Sequence, residues 1–195
     1  MPAGRPRAFD VEEALDRALQ LFWRHGYEGT SLAMLTEAME INVPSLYAAF
    51  GNKEELFRKA LERYLTAPAS YMTEALLEPT ARAVAEKIMS GSINLVTHPN
   101  NPGGCLLVQG AMATGPQGMP VRQELSGVRT LGEERIRERL ERAKSEGDLP
   151  PDADTSNLAR FLMTMNCGFA VQAAGGATRE QLEDVAALVM QCWPS

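Results

Sequence analysis

Apolar residues recur along this chain at helical spacing, and polar caps mark where each helix begins. Asp10 opens the first helix, with Glu13 three residues later in the pattern of a capping box. Val11, Ala14, Leu15, Ala18 and Phe22 then form one buried stripe, and Gly26 can end the helix in a left-handed conformation. Ser31 caps a short second helix with Leu32, Leu35 and Met39 facing inward. After a break at Glu40 and Ile41, Asn42 caps a third helix, and Pro44 sits in its first turn, where a missing amide hydrogen costs little. Leu46 and Phe50 point inward from it. Asn52 with Glu55 makes another capping box and starts a fourth helix, whose apolar face is Leu56, Phe57, Ala60, Leu61 and Tyr64.

Helical patterning continues to the end. Pro68 and Pro79 each read as helix starts, giving helices near 68–77 and 79–97, the second carrying Val84, Ile88, Ile93 and Leu95. The run from His98 to Gly104 is a loop. Cys105 to Thr114 reads as a short apolar helix, broken by Gly115 to Gly118. A long helix follows from about Pro120 to Glu146, and its charge alternation from Glu133 to Lys144 reads as a solvated face with i,i+4 pairs. Thr155 to Gly175 is a helix with two apolar stripes, one through Leu158, Leu162, Met165 and Phe169, the other through Met163, Ala170, Val171 and Ala174. Thr178, boxed with Gln181, caps a final helix whose stripe is Leu182, Val185, Val189 and Trp193. The fold class is all-α, with about nine helices.

The second and third helices carry the functional argument. Two short helices joined by a turn of about four residues have the spacing of a helix-turn-helix. With Leu46 and Phe50 inward, the third helix shows Val43, Pro44, Ser45, Tyr47 and Ala48 on its opposite face. That face is small and nearly uncharged, which suits a major groove where Ser hydrogen-bonds and Val, Pro or Ala touches a thymine methyl. A small surface helix without a partner fits the periodicity equally well. Lys53 favours the DNA reading, because a cation in a helix's first turn opposes the dipole unless an anion docks there. Thr30 and Ser31 offer a similar phosphate seat at the second helix, and Tyr47 can give its hydroxyl to a phosphate. Capping explains Thr30, Ser31 and Asn42 as well, and the two roles are compatible. Ahead of the fold, Arg5 and Arg7 lie in an extended run without acids that can enter an A·T-rich minor groove or remain a solvated tail.

Composition narrows the classes. Formal charge is −6 and neither half of the chain is basic, so non-specific coating of nucleic acid is excluded and binding must rest on a local patch. No run approaches the roughly 18 apolar residues of a membrane helix, and no signal-peptide pattern opens the chain, so no membrane partner and a cytoplasmic location are expected. Three widely spaced cysteines make neither a disulfide framework nor a zinc site. His25 and His98 are the only histidines. With no nucleophile–base pair, paired carboxylates or phosphate loop, neither an enzyme nor a cofactor or metal is expected.

The segments from Gly26 to Ser31 and from Leu46 to Phe57 closely resemble the N-terminal domain of the tetracycline-repressor (TetR/AcrR) family, with a match running from about Arg5 to Tyr64. The resemblance implies an arm and helix-turn-helix domain over residues 1–52 and a helical effector-binding and dimerisation domain over 53–195, linked by the helix starting near 53. It also implies a homodimer on a palindromic double-stranded DNA operator, released by a small-molecule effector. Three departures stand out. Glu40 occupies a turn position where glycine is common, Ala48 and Ala49 replace a His or Tyr that often contacts phosphate, and Asn42 replaces the usual serine cap.

Family resemblance places an effector pocket between the middle helices. Candidate lining residues are Met89, Ile93, Cys105, Gln109, Met112, Met165 and Phe169, which suit an uncharged or weakly polar ligand. Each is equally a candidate for plain core packing. Cys105, at an expected helix start, is also a candidate electrophile- or redox-sensing thiol, since a helix dipole lowers a thiol pKa. Helices apolar on two sides must bury both, either in a fully intramolecular core or partly against a symmetry mate; the family resemblance favours the second, so Leu158, Leu162, Leu182, Val185, Val189 and Trp193 are expected to build the dimer interface.

Overall fold

A computed structural model describes residues 9–112, 115 and 118–194, with backbone alone at 111 and 112, and ten helices form among these described residues. They are α1 (Val11–Gly29), α2 (Leu32–Ala38), α3 (Val43–Phe50), α4 (Lys53–Thr66), α5 (Tyr71–Ala75), α6 (Ala81–Thr97), α7 (Leu106–Met112), α8 (Met119–Ser145), α9 (Thr155–Ala174) and α10 (Arg179–Gln191). No strand occurs among the described residues. Arg5 and Arg7 lie outside them, as does the Met112 side chain.

The caps account for most helix starts. Asp10 accepts the amides of Glu12 and Glu13 at 2.9 and 3.2 Å, but the Glu13 carboxylate turns to Arg17 instead of back to the cap, so that box is half-made. The Asn52–Glu55 and Thr178–Gln181 boxes are reciprocal. Gly26 kinks α1 without ending it. Its φ of 71° and ψ of 176° lie in a region essentially restricted to glycine, and the helix rewinds for one further turn. Only Tyr71–Ala75 is helical within the stretch expected near 68–77.

The N-terminal core forms where α1 meets α4. Phe57 packs edge-on against Phe22 at 5.1 Å and against Tyr27 at 5.4 Å, while Leu35, Met39, Leu46 and Phe50 are buried beneath. Both halves of α4 are committed, since its first turns complete this core and its last turn reaches the C-terminal helices. There α6 is central, flanked by α5, α9 and α10, and α8 packs on α9 and α7.

Two readings of the pattern need correction. Arg139, in the charge-alternating part of α8, is only 5% exposed and donates to the carbonyls of Glu78 and Pro79 at 2.7 and 3.0 Å. Its neighbours do form surface pairs, such as Arg137 with Glu134 and Arg142 with Glu146. The expected interface stripes are largely consumed within the protomer: Leu162, Leu182 and Trp193 are buried, and Leu158 and Val189 are half-buried. The cause is α6, which takes the most apolar stripe of both α9 and α10. Of the expected set Val185 stays exposed, and it shares the open face of those helices with Phe161, Val171 and Leu188, the last 63% exposed.

Candidate functional site

The α2–turn–α3 unit presents its helix starts to solvent. Ser31 Oγ accepts the Met34 amide at 3.1 Å, and Asn42 Oδ1 accepts the Ser45 amide at 2.9 Å, so both caps are made. Leu46 and Phe50 anchor α3 inward, which turns out Val43 and Tyr47, 40% and 46% exposed, together with Pro44 and Ala48; Ser45 is half-buried at the edge. An apolar and hydroxylic surface is thus held rigidly one helix wide, the form that a major groove admits. In the preceding turn Glu40 adopts φ 55°, the left-handed region usually left to glycine. Its carboxylate pairs with Arg17 Nη1 at 2.9 Å, and the same guanidinium donates to the Ala38 carbonyl, tying the turn to α1.

The expected phosphate seats are changed in detail. Thr30 is fully buried and its hydroxyl donates to the Gly26 carbonyl at 2.7 Å, closing the kink, so it is not available to an anion. Ser31 keeps a free O–H. At α4 the start is already acidic, because Glu54 and Glu55 occupy its first turn and Glu55 accepts the Asn52 amide at 3.0 Å. Lys53 offsets this from an unexpected position, with its ammonium 4.4 Å above the Tyr27 ring. Burial there lowers the Lys53 pKa and Glu28 opposes the drop. Lys59, unremarked in the pattern, reaches the Ala49 and Phe50 carbonyls at the C-terminal end of α3, both at 3.4 Å.

A cavity of about 290 Å³ lies between α4, α5, α7, α8 and α9. Its walls include Tyr64, Tyr71, Met72, Cys105, Arg129 and Met163, and Asn166 forms part of its floor. Of the residues expected to line a pocket, only Cys105 does so among those described. Met89 and Ile93 face a shallow groove between α6 and α10, and Phe169 and the half-buried Met165 pack into the core. Gln109 Nε2 donates to the Gly103 carbonyl at 2.8 Å, bracing the loop before α7. Met89, Ile93 and Phe169 are buried as their periodicity indicates, but in the packing of α6 against its neighbours and not around this cavity. Asn166 was the missed signal, a polar residue on a stripe otherwise apolar from Leu162 to Phe169.

One wall of the cavity is also the junction to the N-terminal helices. Tyr64 donates its hydroxyl to Cys105 Sγ at 3.1 Å, and its ring meets Trp23 edge-on at 4.8 Å. Trp23 Nε1 in turn donates to the Gly104 carbonyl at 3.1 Å. Two further links cross the same boundary: Arg58 with Glu124 at 3.1 Å, and the Gly115 amide to Glu28 at 2.5 Å. Burial pushes the Cys105 thiol up from its ordinary pKa; the Tyr64 hydrogen bond, the Val108 and Leu107 amides and the Arg129 charge all pull it down without prevailing. The helix start therefore acts on this thiol in the expected sense, but desolvation outweighs it. Among the described residues no three His, Cys, Asp or Glu side chains group to hold a metal, and no helix is long and apolar enough to cross a membrane.

Comparison with known proteins agrees with this geometry. Residues 14–60 match the family described as bacterial regulatory proteins, tetR family, and residues 79–189 match the tetracyclin repressor-like C-terminal domain. The chain is 34% identical to the HTH-type transcriptional repressor ComR of Escherichia coli, over 98% of this chain and 92% of the relative. It is 44% identical, with a TM-score of 0.92 over 97% of this chain and 100% of the other, to a cysteine-substituted variant of the TetR family regulator CifR solved with 26-base-pair operator DNA. A TetR regulator from Rhodococcus sp. RHA1 is 40% identical over 93% of this chain and 97% of its own, at a TM-score of 0.65. The chain belongs to the TetR family of bacterial transcriptional regulators and is not an enzyme.

Proposed function

We propose that this protein is a cytoplasmic homodimeric repressor that holds a palindromic operator through α3 and leaves it when a small molecule fills the cavity beneath Tyr64. The observation that carries the reading is the shared wall: Tyr64 and Cys105 line the cavity and also sit in the Trp23–Gly104 junction between α1 and α7. An occupant that displaces Tyr64 must move the end of α4, whose other end is packed in the core under the helix-turn-helix. Two packings of that junction, one favoured by operator and one by ligand, would give reciprocal coupling.

On DNA, Val43, Pro44 and Ser45 read bases. Ser31, Tyr47, Lys53 and the arm hold phosphates and the minor groove, as suits a protein whose near relative is solved on operator DNA. The exposed apolar face of α9 and α10 supplies the two-fold contact that sets half-site spacing. Footprinting on DNA flanking the protein's own gene tests the core of this reading. A protected, roughly palindromic site that occupies one dimer is expected, and absence of protection at low salt would refute it.

A thiol-switched version has one observation in its favour, that Cys105 forms part of the cavity wall. Its raised pKa works against rapid reaction. Cys105→Ser separates the two, since it abolishes release by electrophiles in the thiol version and leaves release by a non-covalent ligand intact.

A further inference from the structure

The cavity is apolar over most of its surface, yet its charged members have one sign. Arg129 and Arg135 line it, and no Asp or Glu does. Arg129 is half-buried and spends one donor on the Leu107 carbonyl at 2.6 Å; neither it nor Arg135 forms an ion pair among the described residues. Most other arginines on this chain's surface are paired with acids, as Arg58, Arg63, Arg82 and Arg160 show. Asn166 is 8% exposed, and its Oδ1 accepts the Tyr71 hydroxyl at 2.7 Å. Asn166 thus brings a polar amide to an otherwise apolar wall, and its Nδ2 makes no hydrogen bond among the described residues. Arg129 also lies close enough to draw down the thiols of Cys105 and of Cys167, the neighbour of Asn166. Arg129, Cys105 and Asn166 all line the same cavity.

A guanidinium without an acidic partner and an amide at the edge of an apolar space favour an anionic head group, which accepts charge-assisted hydrogen bonds there. A cation would face two like charges without an acid, and a neutral body would leave both donors unanswered. We infer that the cavity takes a compact amphiphilic carboxylate, its head held by Arg129 and Asn166 with Arg135 at the mouth, and its apolar body against Met72, Leu107 and Met163. A volume of about 290 Å³ is at the lower end for small-molecule sites, which limits the body to a medium aliphatic chain or a single ring. This replaces the expectation of an uncharged or weakly polar effector with an anionic one, and it rests on the reading of this cavity as the effector site.

The test is calorimetric titration of the full-length protein with sodium octanoate, octanamide and octylamine, with phenylacetate and phenylacetamide as a ring-bodied pair. A charge-assisted contact makes each carboxylate bind about tenfold or more tighter than its amide, with no binding of the amine. Arg129→Met and Asn166→Leu reduce that preference toward unity, and Arg135→Met, whose side chain supports no other element, reduces it in part. Equal binding of acid and amide, failure of every carboxylate to bind at millimolar concentration, or an undiminished preference in all three variants overturns the assignment. The acid–amide comparison on the unaltered protein stands even where a variant misfolds. Operator binding, followed by fluorescence anisotropy, separates the two readings. Tight carboxylate binding that leaves operator affinity unchanged upholds the ligand class and removes the effector role. An amide that binds better and frees the operator does the reverse.

Discussion

Replacing Gly91 by alanine should destabilise the protein, although alanine is the better helix former. Gly91 lies within α6 and has no strained φ, so a methyl group there would by itself gain about 1 kcal/mol of helix propensity. A Cβ at this position, however, would stand 2.5 Å from the Tyr71 ring and 2.6 Å from the Tyr71 Cβ. Because the Tyr71 Cβ is itself in the way, a rotamer change cannot relieve the clash, and α5 must move. Overpacking costs about 1–3 kcal/mol, and a clash that no rotamer relieves belongs in the upper part of that range, about 2–3 kcal/mol, so against the helix gain of about 1 kcal/mol a net loss of about 1–2 kcal/mol is expected for Gly91→Ala. At this chain length that lowers Tm by about 2–8 °C, read at fixed protein concentration because a dimer's Tm depends on it. In a Tyr71→Gly background, which removes the Cβ as well as the ring, the obstacle is gone, and the same substitution should stabilise by up to about 1 kcal/mol. Thermal and urea melts of the four proteins give the cycle. A neutral or stabilising Gly91→Ala in the unaltered background, or the same effect in both, would refute the account of α5 seated on α6.

Lys53→Ala should weaken binding to all DNA sequences alike and reduce the salt slope of log K by about 1, whereas Ser45→Ala should change the relative ranking of operator variants; competition binding at several salt concentrations distinguishes them. Trp23→Phe removes the donor to the Gly104 carbonyl at a cost of about 1–3 kcal/mol, and should reduce ligand-induced release more than operator affinity itself, measured as a ratio of Kd values with and without ligand. The pKa of Cys105 is raised on folding, so the neutral thiol is the form the fold favours. Its contribution to stability is whole below the unfolded thiol pKa of about 8.5 and is lost as pH rises from there through the folded value. Stability measured from pH 8 upward should therefore fall, and Cys105→Ser should flatten the first part of that fall. An identical profile in the variant would show that other groups, such as the buried Tyr64, govern the decline.

Much of the N-terminal unit could be read directly, because its helices are short and each is punctuated by a side-chain cap. Asp10, Ser31, Asn42 and Asn52 all cap as the spacing indicates. The departure of Glu40 from glycine posed a choice between avoiding a positive φ and accepting it, and the chain accepts it with Arg17 alongside. Periodicity was less informative in the C-terminal helices, where several faces of each helix are apolar. It identifies that Met89, Ile93 and Phe169 are buried, but which partner buries them depends on how α6 threads between α9 and α10. Tyr64 shows the same limit, since it was correctly assigned to an apolar face while its hydroxyl contact with Cys105 spans 41 positions of sequence. Arg129 and Arg139 look alike in the charge pattern. One lines a cavity and the other is buried against a loop, a difference that only packing creates.

The kink at Gly26 also limits how this protein can be recombined with others. By offsetting the last turn of α1 it brings Tyr27 under Lys53 and Glu28 to the Gly115 amide, while Trp23 just before it holds the Gly104 carbonyl. A chimaera that grafts a foreign DNA-reading head onto this effector body, cut at the start of α4, would inherit a new α1 and lose all the attachments that helix makes to the body. Such a graft would still fold each half around its own core, yet respond poorly to ligand. Transplanting residues 23–30 back into the foreign head is the smallest change expected to restore the response, which makes the end of α1 a coupling that must travel with the body it serves.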